Sequence, residues 1–138
     1  MEKQARLVGA RQALEGGKVL LAHTDFRGCV SRSYYAAYQA MWAAVGEPEK
    51  KPRWEHLGVI KTFARGRWFD PQAGFRGPGV FESQRFALLR LYDLRLKADY
   101  RLDDISQEEA QWALQIAQEI IAIASQEDAR DATQDEEV

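Results

Sequence analysis

One cysteine, two histidines and four prolines in 138 residues leave this chain few means of cross-linking or of holding a metal. A lone thiol, Cys29, closes no internal disulfide, so nothing in the sequence requires an oxidising compartment. Cys29, His23 and His56 lack the close spacing of a zinc site, and no metal or cofactor is expected. No apolar run approaches a membrane span. The start, Met1-Glu2-Lys3-Gln4-Ala5-Arg6, leads into a mixed amphipathic stretch rather than the apolar region of a signal peptide. A soluble, cytoplasmic protein is therefore expected. Period-two alternation is missing too, which argues against half-buried strands. Also absent are an internal repeat, a heptad run, a Walker loop, a dinucleotide fingerprint and a nucleophile elbow, so the common nucleotide and hydrolase signatures are not met.

What is present is one domain's worth of helical pattern with an uneven charge distribution. The formal net charge is only -2, yet residues 27–101 hold fourteen Lys/Arg against seven Asp/Glu. Residues 102–138 hold eleven acids against Arg130 alone. A basic middle suits a phosphate-bearing partner such as RNA or a nucleotide, while the plainer reading is that these arginines solvate helix faces.

The spacing predicts five helices. The first covers about residues 3–22, with Leu7, Ala10, Leu14 and Leu21 on one face and Gly16-Gly17 as a weak point where a kink or break is possible. Thr24 or Asp25 caps the second, which runs to about Val45 and stops at Gly46. It carries Val30, Tyr34, Ala37, Met41 and Val45 inward on one side and Ser31, Tyr35, Tyr38 and Trp42 on the next. A helix apolar on nearly every side belongs in the middle of a protein, covered by two or more neighbours. A short third helix fits residues 55–64, burying Leu57, Ile60 and Phe63. Residues 65–79 are too rich in Gly and Pro for a helix and are expected to form a long loop; its arginines and aromatics suit base stacking, a partner protein or closure of one end of the bundle. The fourth helix runs from about residue 81 or 83 to 97, with Phe81, Leu88, Leu89 and Tyr92 inward. Ser106-Gln107-Glu108-Glu109 is a capping box that starts the fifth, which continues through Ala113, Ala117, Ile120, Ile121 and Ala124 to about residue 125. Residues 126–138, with six acids and almost nothing apolar, are expected to be a disordered tail behind a domain of residues 1–125. The expected architecture is all-α: an up-and-down bundle with a Gly/Pro-rich loop between helices three and four.

Four segments stand out in order: Ser31-Arg32-Ser33-Tyr34-Tyr35-Ala36-Ala37-Tyr38; His56-Leu57-Gly58-Val59-Ile60; Leu91-Tyr92-Asp93-Leu94-Arg95-Leu96-Lys97-Ala98-Asp99-Tyr100; and Ser106-Gln107-Glu108-Glu109-Ala110. With these the chain resembles the HEPN superfamily (higher eukaryotes and prokaryotes nucleotide-binding domain) over about residues 3–125. It is most similar to an uncharacterised prokaryotic branch in which the motif arginine is followed by an Asp-Tyr pair. The resemblance implies a bundle that dimerises and, in many members, a metal-independent RNase that is the toxin of a toxin–antitoxin pair beside a minimal nucleotidyltransferase. In active members an arginine and a histidine four to six residues apart form a site duplicated across the dimer interface. Arg95 matches the arginine; Tyr100 occupies the histidine position. Some partner nucleotidyltransferases adenylylate a tyrosine near this motif, and Tyr100 is the matching place.

The departure at Tyr100 bears directly on the chemistry. RNA cleavage without a metal needs a base for the 2'-hydroxyl proton and a cation at the phosphate, and histidine suits the first task. Arg95 can supply the cation and paired phosphate contacts. A phenol with a pKa near 10 is only about 0.1 % ionised at neutral pH. Cleavage is thus expected to be slow or absent unless His56 or His23 folds into the site. Arg95, Asp99 and Tyr100 are the candidate catalytic residues, and Ser31, Arg32, Tyr34, Tyr35 and His56 the candidate binding residues. The plainer reading makes Arg95 and Asp99 an ion pair one turn apart, in the less favourable order. Arg32, if buried, needs a partner, for which Asp99 is the candidate. Two functions follow: an RNA-directed, toxin-like component of a HEPN/nucleotidyltransferase pair, or a non-catalytic dimeric module that binds a nucleotide or the nucleotidyltransferase.

Overall fold

The computed structural model describes residues 2–65, 82–101 and 103–137, with side chains from Gln84 onward in the second stretch and up to Ser125 in the third. Among them are five α-helices and no strand: α1 (Lys3–Ala22), α2 (Phe26–Val45), α3 (His56–Arg65), α4 (Glu82–Leu96) and α5 (Gln107–Glu137). A π-helical turn, Lys97–Arg101, extends α4. The all-α bundle expected from the apolar spacing is what forms. The Gly/Pro-rich loop expected at residues 65–79 falls almost wholly outside the described residues, as does Phe81.

Helix α2 sits at the centre because its sequence leaves no polar face. Cys29, Val30, Ser33, Tyr34 and every residue from Ala36 to Ala44 are buried. Helices α1, α3, α4, α5 and the π turn all pack against it. Asp25 is the cap, its carboxylate accepting from the Gly28 N–H at 2.9 Å, and Gly46 ends the helix at a φ of 85°, a conformation that favours glycine.

Helix α1 runs unbroken through Gly16-Gly17, and the reason is packing. A methyl group at Gly17 would sit 3.3 Å from Leu114 Cδ1 and 3.5 Å from Ser33 Oγ, so the missing side chain lets α1 approach α2 and α5. Leu7, Ala10 and Leu14 are buried as their spacing requires, and Arg6 beside them reaches Gln39 Oε1 at 2.9 Å while its guanidinium lies 3.4 Å over the Trp42 ring.

The capping box of α5 closes reciprocally: Glu109 N–H donates to Ser106 Oγ at 3.0 Å, and Ser106 N–H donates to Glu109 Oε1 at 2.9 Å. Ala113, Ala117, Ile120, Ile121 and Ala124 form its buried stripe. The backbone stays helical to Glu137, past the end near residue 125 that the apolar spacing predicts, through residues whose Ala, Gln, Glu and Arg content favours helix by intrinsic propensity.

Two faces differ from the spacing argument. Leu57 is 58 % exposed, because α3 turns Val59, Ile60 and Phe63 inward and Leu57 lies roughly a third of a turn from the middle of that arc. On α4 and its extension the buried residues are Leu88, Leu91, Leu94 and Ala98, with Leu89 and Tyr92 at the edge of the core.

Candidate functional site

Where α2, the start of α3 and the end of α4 converge, the bundle opens into a groove of about 1130 Å³. All eight residues singled out by the sequence line it. Helix α2 contributes Ser31, Arg32, Tyr34 and Tyr35, the first residue of α3 is His56, and α4 with its π turn brings Arg95, Asp99 and Tyr100.

The centre is a chain of polar contacts across three elements. Arg95 Nε meets Asp99 Oδ2 at 3.0 Å, and Asp99 Oδ1 accepts from the Ser31 hydroxyl. Arg95 is thereby held over Tyr34, with its guanidinium carbon 5.6 Å from that ring's centre, and 5.3 Å from the ring of Tyr100. Its side chain is 21 % exposed, so the cation is framed by aromatics yet open to the groove.

The tyrosines and His56 form the groove's floor. His56 Nδ1 lies 2.7 Å from Tyr34 Oη, and the imidazole stacks on Tyr92 with centroids 5.3 Å apart. Tyr38 packs on the same ring at 5.0 Å and donates its hydroxyl to the Trp54 carbonyl, which fixes the connector leading into α3. Burial pushes the Tyr34 phenol well above its ordinary pKa, with the Arg95 charge working against it. Burial also holds His56 below its ordinary value, reinforced by the positive charges of Arg95 and Arg53. Both groups are therefore neutral at pH 7.

Two expectations need correction. Arg32 does not pair with Asp99: it is exposed and needs no partner, its chain lies along the glycine face of α1, and the small Ser31 takes the carboxylate instead. Tyr35 is not part of the core: it is 50 % exposed, at the groove's rim. His56, the candidate binding residue of α3, is carried by the fold to Tyr34 and Tyr92. His23 stays at the end of α1, against the Val19 carbonyl.

Sequence reasoning missed four contributors. Tyr38 and Tyr92 follow Tyr34 and precede Arg95 by about one turn, so their register is visible in the sequence, where spacing assigns them to the core. Arg53 lines the groove from the connector, with no signal beyond its charge. Arg27 acts from behind: its guanidinium donates to the carbonyls of Ala98 and Asp103, with a longer contact of 3.4 Å to Lys97 O. It thus latches the π turn that carries Asp99 and Tyr100, and π turns recur at functional sites because they re-aim side chains. Arg27→Ala should cost about 2–3 kcal/mol by leaving carbonyls without a charged donor, and Arg27→Lys should recover less than half. Urea denaturation measures this, and a loss below about 0.5 kcal/mol would mean that water replaces the latch.

Among the described residues no three His, Cys, Asp or Glu side chains group so as to hold a metal ion. No helix among them is long and apolar enough to cross a membrane. What the groove offers is a cation buttressed by a carboxylate, a neutral imidazole, and aromatic faces, two of them exposed at the rim.

Comparison with known proteins agrees with the resemblance stated above. The HEPN domain pattern matches residues 4–128. A protein of Methanocaldococcus jannaschii named "Putative toxin MJ0605" is 33 % identical over 110 residues, covering 80 % of this chain and 76 % of its own length. With the pattern spanning nearly the whole described bundle and a relative one-third identical over most of its length, this chain belongs to the HEPN family.

Proposed function

We propose that the protein is an RNA-directed, toxin-like HEPN component whose groove binds a phosphate of a single RNA strand and cleaves beside it without a metal. The observation that carries this reading is Arg95 held between Asp99 and the Tyr34 face, open to the groove. A guanidinium oriented in this way has donors left for a phosphate. Asp99 and Ser31 fix its direction, and Tyr100 flanks it from the motif's histidine position. The name of the archaeal relative supports a toxin-like role.

The working unit in this reading is a homodimer. Tyr35, Leu57 and Tyr100 place exposed apolar surface around one groove, with exposures of 50 %, 58 % and 67 %, a concentration suited to a covering second copy. A minimal nucleotidyltransferase is the antitoxin partner that family membership suggests, and Tyr100 is open enough to be modified.

The test is cleavage of a labelled single-stranded RNA by the purified protein in EDTA, set beside growth on overexpression. Cleavage by the wild type that Arg95→Ala lacks is the expected result. No cleavage together with unimpaired growth would replace this reading with the non-catalytic binding module, which the tyrosine at the motif's histidine position favours.

A further inference from the structure

We propose that His56, from the start of α3, is the general base of this groove, taking the role that the motif position leaves empty. This rests on the RNA-cleaving reading above and names the group that the reading lacks. In the step we infer, His56 Nε2 takes the proton of a ribose 2'-hydroxyl as that oxygen bonds to the adjacent phosphorus. The P–O5' bond breaks, and the leaving 5'-oxygen takes a proton from water. The products are a 2',3'-cyclic phosphate and a 5'-hydroxyl.

The placement of the ring carries the argument. A useful base must be neutral, fixed in direction and open on one nitrogen. His56 is clamped on one side by Tyr92 and on another by Tyr38, and its Nδ1 is engaged by Tyr34 Oη at 2.7 Å. Its Nε2 has no hydrogen-bond partner among the described residues, and the side chain lines the groove. The ring that engages Nδ1 is also the one beneath Arg95, so base and phosphate cation share Tyr34 as a common support. The assignment requires the tautomer in which Nδ1–H donates to Tyr34 Oη, which leaves the lone pair on Nε2; the imidazolium formed on proton uptake keeps the same contact. Tyr34 is then a positioning residue. His23, the other histidine, sits at the far end of α1 and lines no part of the groove. Tyr100 stands where a motif histidine would be, but its ring is 67 % exposed and lies against Arg95.

The groups facing His56 define its pH response. Tyr34, Tyr38 and Tyr92 contact the ring, Arg95 and Arg53 act on it by charge, and Glu55, Arg32, Asp99 and the phenols of Tyr35 and Tyr100 share the groove with it. Burial and the two arginines lower the imidazole's pKa. Because protonation removes the base, the rate falls as pH drops through that pKa, so the acid limb lies below that of an unperturbed histidine.

The experiment uses the full chain and a labelled single-stranded RNA in EDTA. His56→Ala is expected to cleave about 10²-fold or more slowly than wild type, and added imidazole to restore part of the rate. Tyr34→Phe is expected to lose about tenfold, with the acid limb displaced. Circular dichroism and thermal unfolding of each variant separate misfolding from lost chemistry, and the wild-type pH profile reads the base without any substitution. Wild-type rates in His56→Ala alongside loss in Arg95→Ala would overturn the assignment of His56 and leave the RNA-cleaving reading standing. A slow His56→Ala that imidazole does not restore, with no acid limb in the wild type, would make His56 merely structural. A wild type that cleaves nothing removes both.

Discussion

Arg95→Ala should lower RNA cleavage by about 10²–10³-fold, the usual effect of removing one preorganised donor to a developing phosphate charge, while barely altering stability. The two halves of that expectation have separate causes. As a structural pair, Arg95 and Asp99 are partly exposed, with side chains at 21 % and 29 %, and sit in the order that opposes the helix dipole. Such a pair contributes well under about 1 kcal/mol. As a ligand for phosphate, the same guanidinium is held by Asp99 and flanked by Tyr34 and Tyr100, so its direction is set before RNA arrives. Arg95→Lys keeps the charge but loses the planar fork, and should fall between wild type and alanine. Single-turnover cleavage in EDTA gives the rate, urea denaturation the stability, and RNA affinity against salt a slope shallower by about 0.7 for one lost phosphate contact. Equal cleavage by wild type and Arg95→Ala would remove the arginine from the chemistry.

Much of the scaffold could be read from the chain because local rules and global packing agree. An apolar surface around α2 demands a central position, and the Ser106–Glu109 box closes as its spacing requires. The candidate residues share one groove because three of the four segments, those on α2, α3 and α4 with its π turn, come together in the fold, while Ser106–Ala110 starts α5 away from it. The remainder depended on contacts with no local signature. Arg27 reaches carbonyls more than seventy residues away, and nothing in the order Leu-Lys-Ala-Asp-Tyr-Arg marks a π turn against an ordinary helix end. Period alone places Leu57 and Tyr35 in the core, because it assigns a face without saying whether a neighbour covers it. Ser31, rather than the more conspicuous Arg32, meets Asp99; a short hydroxyl needs only proximity, whereas a long cation at a helix surface is equally well served by water. His56 joins the site through the angle of α3, which depends on packing.

That angle leads to the largest stability effect expected. Phe63 is fully buried near the end of α3, a ten-residue helix that packs on α2 and α4. A helix of that length does not hold itself together in water, so its register and tilt come from the side chains it buries. Phe63→Ala removes the largest of them, and the lost transfer energy plus the cavity left behind should cost about 3–5 kcal/mol. Against an urea slope near 2 kcal/mol per molar, the midpoint should fall by roughly 2 M. Leu57→Ala, on the same helix but 58 % exposed, should change stability by no more than about 0.5 kcal/mol. The contrast reports on the face that α3 turns inward: comparable losses from the two substitutions would mean that α3 is rotated and that His56 does not sit on Tyr34. A deep loss from Phe63→Ala alone would tie the imidazole's position to one buried ring near the other end of its helix, with Val59 and Ile60 carrying the same inward face back towards it.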